Sequence, residues 1–119
     1  MNIDKDLVAA SATPMVLAIL SEGESYGYAI LKRVRELSNG ELDWTDGMLY
    51  PLLHRLHRLG YVTQEWRIPP EGRRRRYYAI TREGEDALAK HKLQWVTVAR
   101  ALDDAWGGVE VLRLALAPA

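Results

Sequence analysis

Apolar residues crowd the segment from Leu7 to Leu20, where Leu7, Val8, Val16, Leu17, Ile19 and Leu20 predict a buried helix that Pro14 kinks near Thr13. Ser21 to Ser25 read as a turn. Ser25 is placed to cap a second helix that carries Ile30, Leu31, Val34 and Leu37 inward until Ser38-Asn39-Gly40 ends it. Thr45 or Asp46 then caps a third helix reaching Leu59, with Gly60 at its C′ position. At about 100° per residue, Leu49, Leu52, Leu53, Leu56 and Leu59 share one face. Gly47, Tyr50, Pro51, His54 and Arg58 share the other, with Arg55 at its flank, and Pro51 predicts a local bend because it removes a backbone bond.

Beyond Gly60 the period becomes alternating, and Val62, Trp66 and Ile68 predict one face of a strand interrupted by Gln64. Pro69 to Gly72 form a turn and Arg73 to Ile80 the returning strand, which gives a β-hairpin with an arginine-loaded tip. Thr81 caps a long last helix whose first turns hold Glu83, Glu85 and Asp86, as the helix dipole favours. Along it Leu88, Trp95 and Leu102 recur every seven residues, and Trp95, Ala99, Leu102 and Trp106 follow four-three spacing. Such a seam wants a second helix, so these residues are candidates for dimerisation. Gly107-Gly108 breaks the helix and leaves Val109 to Ala119 as a short tail.

A chain of 119 residues, 48% hydrophobic and 27% charged, fits one globular module. The absence of cysteine excludes disulfides and thiolate zinc sites and allows a reducing compartment. Met15 to Leu20 is far short of a membrane span, and Asp4 and Asp6 stand where a basic leader would be. A soluble, unprocessed, cytoplasmic protein without a membrane partner is the expectation. The formal net charge of +0 hides a segregation: residues 1–50 hold eight acids and four bases (−4), 51–82 two and eight (+6), and 83–119 six and four (−2). A localised basic patch, not the total, makes an electrostatic footprint for nucleic acid.

Three helices followed by a hairpin is the order of a winged helix-turn-helix, a mainly α fold with a small β-hairpin, in which the third helix enters the major groove of double-stranded DNA. Tyr50, His54, Arg55 and Arg58 point outward from that helix in this reading, and Arg73, Arg74, Arg75 and Arg76 lie beside Tyr77 and Tyr78 on the hairpin. Guanidinium groups suit phosphates and guanine, and a tyrosine hydroxyl suits a phosphate oxygen. Tyr26, Thr45, Gly47, Met48, Pro51 and Tyr77 complete the candidate DNA contacts. The arginine run also suits a solvated face, but its place at a hairpin tip beside a basic helix favours DNA. Tyr26 and Tyr28 fit either core packing or a phosphate. His54 and His57 lack a third ligand and read as solvated, so no metal is expected, and no nucleophile elbow, phosphate loop or HExxH asks for catalysis or a cofactor. A protein-binding winged helix and a small-molecule carrier or enzyme built on the Trp95 seam are the rival readings.

Ser25-Tyr26-Gly27-Tyr28-Ala29-Ile30, Gly47 to Leu56, Gly60-Tyr61-Val62, and Gly72 to Thr81 with Gly84 together resemble the motifs of PadR-type transcriptional regulators, in the right order from about Leu7 to Trp106. The resemblance implies a homodimer on inverted-repeat operators, usually a repressor, released by a small aromatic or lipophilic effector. The length fits the short branch of the family, which implies a DNA-binding domain at residues 1–81 and a single dimerisation helix with tail at 82–119. Trp95 matches the position of a tryptophan at a dimer-centre pocket in similar drug-sensing members, so the candidate effector site is Trp95 with Ala99, Val8 and Ala12. Packing within the seam is the other reading of Trp95. Met48 stands where the family often has threonine, and His57 where it has an acid.

Overall fold

Residues 1–108 are described by the computed structural model. They form α1 (Lys5–Ser21), β1 (Ser25–Tyr26), α2 (Gly27–Leu37), α3 (Asp46–Arg58), β2 (Val62–Arg67), β3 (Arg75–Ile80) and α4 (Arg82–Ala105). The chain divides into two units, Met1–Leu88 and one beginning at Ala89. In the first unit three helices pack around a core in which Val16, Leu17, Leu20, Ile30, Val34, Leu49, Leu53, Leu56 and Tyr78 are each at most 2% exposed. The strands form an antiparallel sheet in the order β1-β3-β2.

Local chemistry starts and stops the helices largely where the sequence predicts. Thr45 Oγ1 accepts the Met48 N–H at 3.3 Å and caps α3. At its other end Gly60, at φ +81°, lets Tyr61 N–H reach the Leu56 carbonyl at 2.9 Å and Gly60 N–H reach His57 at 3.0 Å. This pair of bonds is a Schellman motif, and Asn39 at φ 52° builds the same motif after α2, with Gly40 N–H on the Arg35 carbonyl at 2.8 Å. Trp44, 5% exposed, precedes the cap and shares the core with Leu49, the arrangement of a hydrophobic staple. α1 runs unbroken through Pro14, and α3 through Pro51.

Several expectations are corrected. Ser25 does not cap α2. It joins Tyr26 in β1, paired with Tyr78 and Tyr77 of β3, and the N-cap is Tyr26 without a side-chain bond. Two residues carry no readable period, and their strand exists because β3 offers its free edge. Leu37 and Leu59 are 47% and 54% exposed although the wheel turns them inward. Each stands at a helix end, where the chain has run past the surface that covers Val34 and Leu56. Trp66 and Ile68 do not share the burial of Val62, being 49% and 73% exposed against 2%, because the hairpin extends beyond the core that covers its base.

Thr81 joins the hairpin to α4: its hydroxyl accepts Gly84 N–H at 3.0 Å and donates to the Gly60 carbonyl at 2.6 Å. Leu88, expected in the dimer seam, is 5% exposed and lies in the core of the first unit. The period of the helix is real, but its first turns are spent on this core. In the second unit Trp95 is half-buried, whereas Ala99, Leu102 and Trp106 are exposed. Leu93, Val96 and Val98 are exposed there as well. The helix closes at Gly107 in a further Schellman arrangement, with Gly108 N–H on the Asp103 carbonyl at 2.7 Å. The predicted tail, 109–119, lies outside the described residues.

Candidate nucleic-acid interface

The outer face of α3 presents Gly47, Tyr50, Pro51, His54 and Arg58 to solvent. Its two margins differ. On one, Met48 is half-buried against the core and Arg55 donates from Nη2 to the Thr13 hydroxyl at 3.2 Å, so both lean toward α1. On the other, the Tyr50 hydroxyl lies over the first residue of α2: a Cβ on Gly27 would stand 2.2 Å from that oxygen and 2.7 Å from Cζ. Burial, and then the charge of Asp46, raise the Tyr50 hydroxyl above its usual range, so it remains a donor at neutral pH. Gly27→Ala is expected to push this ring off α2, costing about 1 to 2 kcal/mol and altering the near-ultraviolet tyrosine dichroism. An unchanged spectrum and stability would count against the contact.

On the wing, Gly72 at φ +98° closes the turn with its N–H on the Pro69 carbonyl at 2.9 Å. The arginine run does not stay at the tip: Arg75 and Arg76 already belong to β3, opposite Arg67 and Trp66. Strand alternation therefore splits it between two faces. The guanidinium carbons of Arg74 and Arg76 lie 4.5 Å and 4.6 Å from the centroid of the Trp66 ring. Arg75 stacks at 4.3 Å over Tyr26, whose ring meets Tyr77 edge-on at 5.6 Å, and it stands 3.8 Å from Glu71. Arg67 lies 4.9 Å over Tyr77 and is held by Glu65 at 2.9 Å and by Glu24. These bonds hold both carboxyls below the usual range and the guanidinium above its own.

Tyr26, Gly27, Tyr28, Tyr50, Trp66 and Arg73 to Arg76 enclose one cleft of about 570 Å³ between α2, α3 and the wing. Sequence reasoning placed Tyr26, Tyr50 and the arginines at the site and missed Trp66, which it read only as one face of a strand with Val62 and Ile68. The hairpin register places Trp66 opposite Arg76, with Arg74 two residues along the same face, a pairing that alternation alone does not give. Val8 and Ala12, candidate effector residues, line a separate apolar groove of about 450 Å³ between α1 and α3, with Met48, Pro51, Leu52 and Arg55. Trp95 and Ala99 belong to the other unit. Among the described residues no cluster of three or more His, Cys, Asp or Glu forms a metal site, and no helix is long and apolar enough to cross a membrane.

A three-helix unit with a basic hairpin flanking the exposed face of its third helix defines a winged helix-turn-helix protein of the DNA-binding class. The Transcriptional regulator PadR-like family model matches residues 16–90, and the chain belongs to that family. It is a transcriptional regulator, not an enzyme. The structure is similar to a transcriptional regulator from Clostridium thermocellum, with TM-score 0.78 and 27% identity over 84% of this chain and 97% of that one. A PadR family transcription regulator from Clostridium difficile matches with TM-score 0.73 and 28% identity over 82% and 99%. A PadR-like transcriptional regulator from Bacillus cereus, 24% identical over 88% and 100%, shares the fold at TM-score 0.76.

Proposed function

We propose that this regulator is a cytoplasmic repressor that binds a pseudo-palindromic operator as a homodimer, with α3 in the major groove and the wing along the backbone. The observation that carries the reading is the shared cleft: Tyr50 of α3 and four wing arginines line the same cavity, so a groove edge and its phosphates can be met together. Tyr50, His54 and Arg58 supply base-edge and phosphate donors. Two-fold symmetry then sets half-sites about one helical turn apart, or a multiple of it. Dimerisation is supported by the uncovered apolar run of α4, where Leu93 is 72%, Leu102 40% and Trp106 59% exposed.

A gel shift with the duplex upstream of the protein's own gene, against a random-sequence duplex at equal salt, tests the function. Tighter binding to the upstream duplex is expected. Equal binding to both, or a purified protein that is monomeric at binding concentrations, overturns the operator reading.

A small aromatic or lipophilic effector is the second part of the proposal. The indole of Trp95 offers a flat stacking surface, and the apolar groove beside Val8 and Ala12 borders Met48, Pro51 and Arg55 of the recognition helix. Titration with a panel of aromatic compounds is expected to quench tryptophan emission in the parent and much less in Trp95→Ala. Equal quenching in both removes Trp95 from the effector site.

A further inference from the structure

We propose that Trp66 is a positioning residue for duplex binding, the platform that holds Arg74 and Arg76 ready for phosphates. The inference rests on the DNA-binding reading above and adds to it a residue outside the arginine run. Trp66 lies directly opposite Arg76 in the hairpin register, and Arg74 follows on the same face. Both guanidinium carbons stand within 4.6 Å of its ring centroid, inside the range of cation–π attraction. That face continues outward from Tyr78, 2% exposed in the core. Beyond the core these two side chains stack on the tryptophan, which remains 49% exposed. An indole half-exposed on a wing is apolar area left in water, and two cations stack on it.

Comparison with the other stacked arginines shows what the arrangement leaves free. Arg67 spends its donors on Glu24 and Glu65, and Arg75 lies near Glu71. Arg74 and Arg76 form no ion pair and donate no side-chain hydrogen bond among the described residues; Arg74 is exposed and Arg76 half-buried, with its Nε buried and unpartnered. Stacking through the face of a guanidinium leaves its in-plane N–H groups available for an oxygen acceptor. The ring also removes rotamer freedom before the duplex arrives, so less is lost on binding. Trp66 need not touch DNA to raise affinity.

The test uses the full chain and a random-sequence duplex in dilute salt, so it needs no operator. Trp66→Leu keeps an apolar strand residue and is expected to weaken binding about tenfold, whereas Trp66→Phe, which keeps a ring face, stays within about threefold of the parent. Thermal melts verify the fold, and Trp66→Thr replaces the leucine variant if that one loses its cooperative transition. The decisive reading is a double-mutant cycle: Arg74→Ala is expected to cost clearly less affinity in the ringless background than in the parent. Additive penalties, or parental affinity in the ringless variant, overturn the role of Trp66 while leaving DNA binding intact. A parent chain that ignores duplex in dilute salt overturns both.

Discussion

Gly84→Ala is expected to lower the stability of the folded chain by about 3 kcal/mol, read as a shift of the urea midpoint at unchanged slope. Gly84 stands in the first turn of α4, where a Cβ would meet the Tyr61 carbonyl oxygen at 2.1 Å and Ile80 Cγ1 at 2.7 Å. The isoleucine can turn away. The carbonyl cannot, because it is main chain and accepts the Thr81 N–H at 3.0 Å, the bond that ties the wing to α4. Small domains have only about 5 to 15 kcal/mol of net stability, so this one methyl group threatens the fold. Gly47→Ala is the matching control: its Cβ would find only Thr45 Oγ1, at 3.8 Å, and a helical alanine there is expected to gain up to about 1 kcal/mol. Equal losses at the two sites would refute the clash.

Replacing Arg74 and Arg75 together with alanine is expected to weaken binding to duplexes of every sequence, by roughly tenfold to a hundredfold in dilute salt. The slope of log affinity against log salt should flatten by between about 0.9 and 1.8, since each phosphate neutralised contributes about 0.9. Arg74 forms no ion pair among the described residues and supplies a full share. Arg75, 3.8 Å from Glu71, supplies less, which is why the lower bound is a single phosphate. Because backbone contacts carry no sequence information, the preference for one duplex over another should survive. An identical slope in parent and double variant means that the wing does not follow the backbone.

Helix boundaries were legible because their causes are local. A threonine at position 45 or 81, an Asn-Gly or a glycine after a leucine-rich stripe sets a cap within a few residues of itself, and the structure uses these caps. The basic segment was legible too, as was the outer face of α3. Trp66 was not, because alternation reveals which residues share a strand face but not where along the strand the opposing core ends. The same limit explains Ile68, Leu37 and Leu59. Leu88 fits the heptad spacing and is nevertheless absorbed by the first unit, since spacing does not say which neighbour a stripe meets.

By itself, the sequence determined the order of helices and hairpin, their caps, the concentration of positive charge and, through its motifs, the family. Tertiary structure alone decided that Ser25 and Tyr26 become a strand, that one arginine run is divided between a tryptophan and a tyrosine, and that Tyr50 reaches across to Gly27. The physical reason is range. Capping, turns and periodicity act between residues a few positions apart, whereas burial and stacking depend on which surfaces the folded chain brings together.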